Sequence, residues 1–286
     1  MSAKLYLLHA LSPVHAGTGQ GEGVIDLPIA RERATQHPII PGSSVKGVLR
    51  DHFRRSEHDS DVVRLFGPET ANASVHAGAL RFSDARTLLL PVTSDEGTFA
   101  WVTCPWILAN LKRDAPADVE LPDAIPKVQA GEGAVSGASA LHTKNSNIAV
   151  LAGMNVSCSA SADKWAKHIA KLVFDDDYWI DFCVARLIVV HDDTFTWLSQ
   201  NATDVRARIC IDPDTGTVKQ GQLWYEESLP AETVLFGVVN AASVNGFRAA
   251  EAIKGLEHAD GELIQIGGKA TVGLGRTRIA FHGGEA

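Results

Sequence analysis

Val205-Arg-Ala-Arg-Ile-Cys-Ile-Asp-Pro-Asp-Thr-Gly-Thr-Val-Lys-Gln-Gly-Gln-Leu-Trp-Tyr-Glu-Glu-Ser-Leu-Pro230 reads as two extended arms joined by a tight turn. Asp212-Pro-Asp-Thr-Gly216 supplies the turn: proline presets φ, aspartate offers side-chain acceptors to nearby N–H groups, and glycine tolerates positive φ. Residue character alternates along each arm, which predicts a long β-hairpin over 203–230. Arg206, Arg208, Lys219, Trp224 and Tyr225 are the side-chain types that meet phosphates and stack on bases. Packing of those same residues on the hairpin's own domain is the competing reading.

Downstream, Thr233–Val239 is a continuous apolar run and so a buried strand, followed by a helix over 247–255 and a strand over 262–266. Ile266-Gly-Gly-Lys-Ala-Thr-Val-Gly-Leu-Gly-Arg276 then forms a glycine-rich loop. A P-loop is excluded because its spacing would require glycine at Leu263. Gly268, Lys269, Gly273 and Arg276 are instead expected to make a flexible collar able to follow a run of phosphates.

Upstream, Ala3–Leu11 predicts a buried strand that opens a sheet, and the alternating glycines of 14–23 a loop. The dinucleotide fingerprint fails there, since Glu22 stands where its third glycine is needed. Val24-Ile-Asp-Leu-Pro28 places Asp26 between apolar neighbours, and on this ground alone it reads as a turn residue. In Pro38-Ile-Ile-Pro-Gly-Ser-Ser-Val-Lys-Gly-Val-Leu-Arg-Asp-His-Phe-Arg-Arg55, a rigid turn feeds a helix with Ser43 or Ser44 as N-cap. Val45, Val48, Leu49 and Phe53 share its apolar face, and Lys46, Arg50 and Arg54 form a basic stripe at i, i+4 spacing. An N-terminus of this kind attracts anions.

The middle of the chain predicts strands in 78–91 and 98–103 and a helix over 104–112 opened by Pro105. Residues 113–162 form an irregular insertion of loops with a few short strands. A helix follows over 161–172, and 175–190 reads as another, with Ile180, Val184, Leu187 and Ile188 at helical spacing. Asp175, Asp176 and Asp177 suit its N-terminus better than a metal, because no Glu or His follows at a helical interval.

The 286 residues are 45% hydrophobic, enough for one elaborated domain or two modest ones. The N-terminal apolar run is too short for a signal peptide, which predicts a cytoplasmic protein with no membrane partner. Cys104, Cys158, Cys183 and Cys210 lack C-x-x-C spacing, arguing against a disulfide framework or structural zinc. Net charge is −8, yet residues 1–55 carry +3, and RNA binding depends on the phosphates neutralised locally.

Four features in order resemble one family: His15-Ala-Gly-Thr-Gly19 after the first strand, Ile39-Ile-Pro-Gly-Ser-Ser-Val-Lys-Gly47, the Asp-x-x-Thr-Gly hairpin leading to Glu227-Ser-Leu-Pro230, and the terminal Gly-Gly-Lys-Ala-Thr-Val-Gly-Leu-Gly. That family is the RAMP superfamily of CRISPR proteins, and the near full-length order is most similar to the repeated backbone subunit of type III-B (Cmr) effector complexes. The equivalent type III-A (Csm) subunit is the competitor. The resemblance implies one α+β domain over 1–286: an RRM/ferredoxin-like palm with elaborating insertions and a projecting β-hairpin thumb. It implies copies stacked along a guide RNA beside other subunits of the complex. It also implies metal-dependent cutting of a target single-stranded RNA beside each thumb, with Mg²⁺ or Mn²⁺ as the ion.

The family's loop aspartate falls on Asp26, which replaces the turn-residue reading with a catalytic and metal-binding one. His15 is a candidate acid or base, and Glu227 a second carboxylate; RNA contact alone for His15, and anchoring of the hairpin for Glu227, stay open. Ser43, Ser44, Lys46, Arg50 and Arg54 become guide-RNA contacts, and Arg208, Lys219, Trp224, Gly268, Lys269, Gly273 and Arg276 further RNA-binding residues. A non-catalytic RNA-binding scaffold is the alternative function.

Overall fold

The computed structural model describes residues 2–19, 21, 23–55, 61–68, 77–244 and 246–284. In chain order these form β1 (Ala3–Ala10), β2 (Ile39–Ile40), α1 (Gly42–Arg55), α2 (Val62–Phe66), β3 (Leu80–Phe82), β4 (Ala85–Thr93), β5 (Phe99–Thr103) and α3 (Pro105–Asp114). Next come β6 (Glu132–Val135), β7 (Ile148–Leu151), β8 (Met154–Ser161), α4 (Asp163–Val173), α5 (Asp177–Arg186), β9 (Leu187–Val190) and α6 (Asp192–Asn201). The last part holds β10 (Asp204–Ile211), β11 (Val218–Ser228), β12 (Val234–Ala241), α7 (Ala249–Gly255), β13 (Leu263–Gln265) and β14 (Arg276–His282).

The architecture is α+β around one large mixed sheet, ordered β13-β14-β1-β12-β4-β5-β9-β6-β8-β7, with β2 on β4 and β3 on β12. β1 lies at its heart, antiparallel to both β12 and β14. A strand buried on both faces reads as a continuous apolar run, and β1 shows why. Leu5 and Leu7 point into one core, with Trp101, Ile188 and Phe236, while Tyr6, Leu8 and Ala10 point into the other, with Val45, Leu49, Phe53 and Ile279. Each such leucine contributes roughly 1.5–3 kcal/mol of burial, so the two cores fix the strand's register.

Three local expectations change. The helical reading of 175–190 ran across two elements: α5 stops at Arg186, and Leu187–Val190 is strand β9, all four residues buried, pairing parallel with β5. A short buried strand that follows a helix without a glycine or proline break mimics continued helical spacing. Asp176 does cap α5, accepting the N–H groups of Tyr178 (3.0 Å) and Trp179 (3.3 Å). Neither Ser43 nor Ser44 is an N-cap, because α1 already begins at Gly42. The Gly42 N–H donates to Asp84 Oδ1 at 2.8 Å, so a carboxylate from the β3–β4 turn takes one of the donors expected to face an anion. Gly42 is needed there: a Cβ would sit 2.5 Å from the carbonyl oxygens of Phe82 and Ser83.

β10 and β11 form their own two-stranded sheet, in register from Asp204↔Ser228 to Ile209↔Leu223 and shifted before Ile211↔Val218. Asp212 Oδ1 accepts the N–H groups of Asp214 and Thr215, and Gly216 takes φ 66°, the turn chemistry expected of this sequence. The outer half is open to solvent: Ile209, Ile211, Val218 and Leu223 are each about half exposed (48, 58, 50 and 55%).

Candidate functional site

Asp26 is positioned by the base of this hairpin. The chain at 26–29 runs beside β11: the Leu27 N–H donates to the Tyr225 carbonyl (3.1 Å) and the Glu227 N–H to the Leu27 carbonyl (3.0 Å). The Tyr225 N–H then donates to Asp26 Oδ2 at 2.7 Å, fixing the carboxylate against the strand. Oδ1 has no hydrogen-bond partner among the described residues, and the side chain is exposed. Asp26 lines an open cleft of about 550 Å³ with Gly21, Leu27, Gln222, Leu223 and Trp224.

Glu227 lies beneath that cleft rather than in it. It is 2% exposed, and its Oε1 accepts from Arg31 Nη2 (2.5 Å) and the Thr203 hydroxyl (2.8 Å), its Oε2 from the Ile29 N–H (3.1 Å). Arg31 also donates to the carbonyls of Gln36 and Ser199, so it ties the 26–31 segment to α6 and the hairpin base together. His15 is likewise buried: its Nδ1 lies 2.7 Å from the Glu227 carbonyl, which can only accept, so Nδ1 carries the proton. Nε2 packs on Gly17, where a Cβ would approach to 2.6 Å. Neither His15 nor Glu227 lines the Asp26 cleft.

The glycine-rich loop is not a free collar. It folds back on residues 11–16, with the Gly268 N–H on the His15 carbonyl and the Gly275 N–H on that of Pro13. Gly267, at φ 76°, is required because a Cβ would press to 2.3 Å from the His15 oxygen. Gly268, Gly273 and Arg276 are exposed, and Lys269 sits at φ 68° in the left-handed region.

Lys269 points to a residue the sequence reading missed. Glu226, 7% exposed, receives the Lys269 ammonium on Oε1 together with the Trp224 indole N–H (2.6 Å), while Arg208 Nε donates to Oε2 (3.2 Å). Burial pushes the Glu226 carboxyl up, but Lys269, Trp224 and Arg208 together outweigh it and hold its pKa below the ordinary value. Three side chains expected to face RNA thus meet on one carboxylate, while Lys219 stays exposed further along the hairpin.

A second cleft, about 480 Å³, opens at α1 and is lined by Ser43, Lys46, Gly67, Pro68 and Arg81. Burial, and secondarily the charge of Arg50, lowers the Lys46 pKa. Arg50 turns partly inward: Nη1 donates to the Pro68 carbonyl at 3.0 Å, and Nε and Nη2 are buried with no partner among the described residues. Ser44 is half-buried, and Arg54 is exposed at the end of the stripe.

The described residues hold no group of three or more His, Cys, Asp or Glu side chains able to cage a metal. The carboxylates of Glu226 and Glu227 are taken by cations, which leaves Asp26 Oδ1 as the open oxygen of these three carboxylates among the described residues. That fits one bond to a hydrated divalent ion whose other ligands come from water and bound phosphate.

The RAMP superfamily model matches residues 7–278. The chain belongs to the RAMP superfamily. A RAMP relative from Pyrococcus furiosus, the CRISPR system Cmr endoribonuclease Cmr4, is 31% identical, with 98% of this chain and 96% of that protein covered. The crystal structure of oligomeric Cmr4 from the same organism superposes with a TM-score of 0.75 at 25% identity, 98% of each chain covered. A type III-B Cmr-beta complex bound to cognate target RNA contains a chain of the same fold, with a TM-score of 0.75 at 19% identity over 98% of this RAMP chain and 97% of that one. No helix among the described residues is long and apolar enough to cross a membrane.

Proposed function

We propose that this RAMP protein is the guide-RNA-binding backbone subunit of a type III-B CRISPR effector complex and cuts target RNA at regular intervals. Copies stack along the guide beside other subunits of the complex. The large sheet is the RRM-like palm, elaborated by 113–162, and the hairpin is the thumb that displaces a nucleotide between cuts. The observation that carries the reading is the open Asp26 carboxylate, held by backbone bonds at the root of a projecting hairpin, in a chain similar over its whole length to a named endoribonuclease.

RNA scission by the neighbouring 2′-OH requires in-line geometry, removal of the hydroxyl proton and compensation of charge on the phosphate. Asp26 orients the 2′-OH at the cleft floor, Oδ2 being fixed by Tyr225 and Oδ1 open. Displacement of a base by the thumb lets the ribose rotate into line. A divalent ion, Mg²⁺ or Mn²⁺, would take Asp26 Oδ1 as one ligand and supply charge compensation at the phosphate when bound. Glu227 and His15 act as anchors that keep the Asp26 loop and the thumb base in register. Ser43, Ser44, Lys46, Arg50 and Arg54 grip the guide, while Lys219, Gly268, Gly273 and Arg276 line the RNA path.

The test uses labelled target RNA on the assembled, guide-loaded complex. Evenly spaced, metal-dependent cuts support the reading. A target bound and left intact under those conditions would mean a scaffold subunit.

A further inference from the structure

Glu226 is a buried carboxylate that gathers two cations from different parts of the chain: Arg208 from the opposite hairpin arm, and Lys269 from the glycine-rich loop beyond the last helix. It also fixes Trp224, which lines the Asp26 cleft. The site thus carries two positive charges and one negative within a single hydrogen-bonded group, and the indole that faces the cleft belongs to the same group. A surface ion pair would contribute little, but a carboxylate that is 7% exposed and accepts three donors is held in place. Asp26 is bonded to Tyr225, which lies between Trp224 and Glu226 on β11.

We propose that Glu226 is a positioning residue of the RNA cleft, an electrostatic latch that holds Arg208, Lys269 and Trp224 in place and neutralises one of the two cations, leaving the other for RNA phosphate. This rests on the RNA reading above. A phosphate oxygen offers the same acceptor chemistry as the carboxylate, so target RNA competes with Glu226 for one of Arg208 and Lys269. Glu226 keeps one cation when the other moves to RNA, and the indole stays fixed against the cleft. Binding is thereby weaker than two free cations would give, and the cleft stays ordered between targets.

The prediction is one of charge. The group carries +1 in the parent, +2 in Glu226→Gln, 0 in Lys269→Gln and +1 in the double variant. Each phosphate neutralised on a single strand contributes about 0.7 to the salt exponent of binding. The assay measures affinity of the guide-loaded complex for a target RNA made 2′-deoxy at the cleavage positions, over a range of salt concentrations. Glu226→Gln is expected to raise the exponent by about 0.7 and bind more tightly at low salt, Lys269→Gln to lower it by about 0.7, and the double variant to return it to the parental value. A purely structural carboxylate gives Glu226→Gln a lower melting temperature with an unchanged exponent, which overturns the latch. Where Glu226→Gln does not fold, an unchanged exponent in Lys269→Gln overturns it equally. A parent complex that binds no target RNA would defeat the RNA reading itself, an outcome distinct from either of these.

Discussion

The two ends of the hairpin differ in almost every physical respect. At its base two buried carboxylates gather partners: Glu227 holds Arg31, Thr203 and Ile29, and Glu226 holds Lys269, Trp224 and Arg208. At its outer end Ile209, Ile211, Val218 and Leu223 stand in solvent, and the register slips before Ile211. The base fixes the position of Asp26, and the outer end is left half in solvent. Apolar side chains half exposed on a two-stranded ribbon gain little stability from the fold.

The sharpest way to break that contrast is at Glu227. Glu227→Ala leaves the Arg31 guanidinium, 16% exposed, without its carboxylate and is expected to cost about 3–5 kcal/mol, read by thermal or denaturant unfolding. A loss below about 1 kcal/mol would show that the base is not the anchor described here. Replacing 210–221 by a two-residue turn keeps Arg208, Trp224 and Glu226 and removes the outermost part of the ribbon, with Ile211 and Val218. Cleavage of target RNA is expected to fall at least about tenfold, equivalent to roughly 1.4 kcal/mol, with guide binding and unfolding midpoint nearly unchanged. Equal loss of guide binding would contradict the separation of base from tip.

Acid gives a smaller effect of known sign. The folded Glu226 carboxyl titrates below its unfolded value, so its contribution to stability is complete above the ordinary carboxylate pKa and is lost as pH falls through the folded one. Glu226→Gln should flatten the acid limb of the stability profile and leave the profile near neutrality parallel to the parent's. Smallest of all, Leu223→Ser should change stability by no more than about 0.5 kcal/mol, because the side chain is already 55% exposed.

The same contrast explains what could be read before the fold was known. The hairpin, β1 and α1 follow from local rules: turn residues, an unbroken apolar run and a 3.6-residue period. β9 was hidden because four buried apolar residues directly after α5 keep the helical rhythm. At the base of the hairpin, anchoring is one of the readings the sequence leaves open for Glu227, but its partner Arg31 lies 196 residues away and nothing local marks it. Lys269 reads from the sequence as an RNA contact and Glu226 carries no local signal; the loop folded back on His15 brings the two together. Asp26 was placed by resemblance, and the structure adds what holds it: one oxygen is bonded to β11, while the other has no partner among the described residues.

The most direct test of the account is Asp26→Asn in the assembled, guide-loaded complex. Asparagine keeps an oxygen for the Tyr225 N–H but loses the charge, so the hairpin base and target binding should persist. Cleavage of labelled target RNA should drop at least about a hundredfold at every position. Cuts at the parental rate and spacing in Asp26→Asn would contradict it.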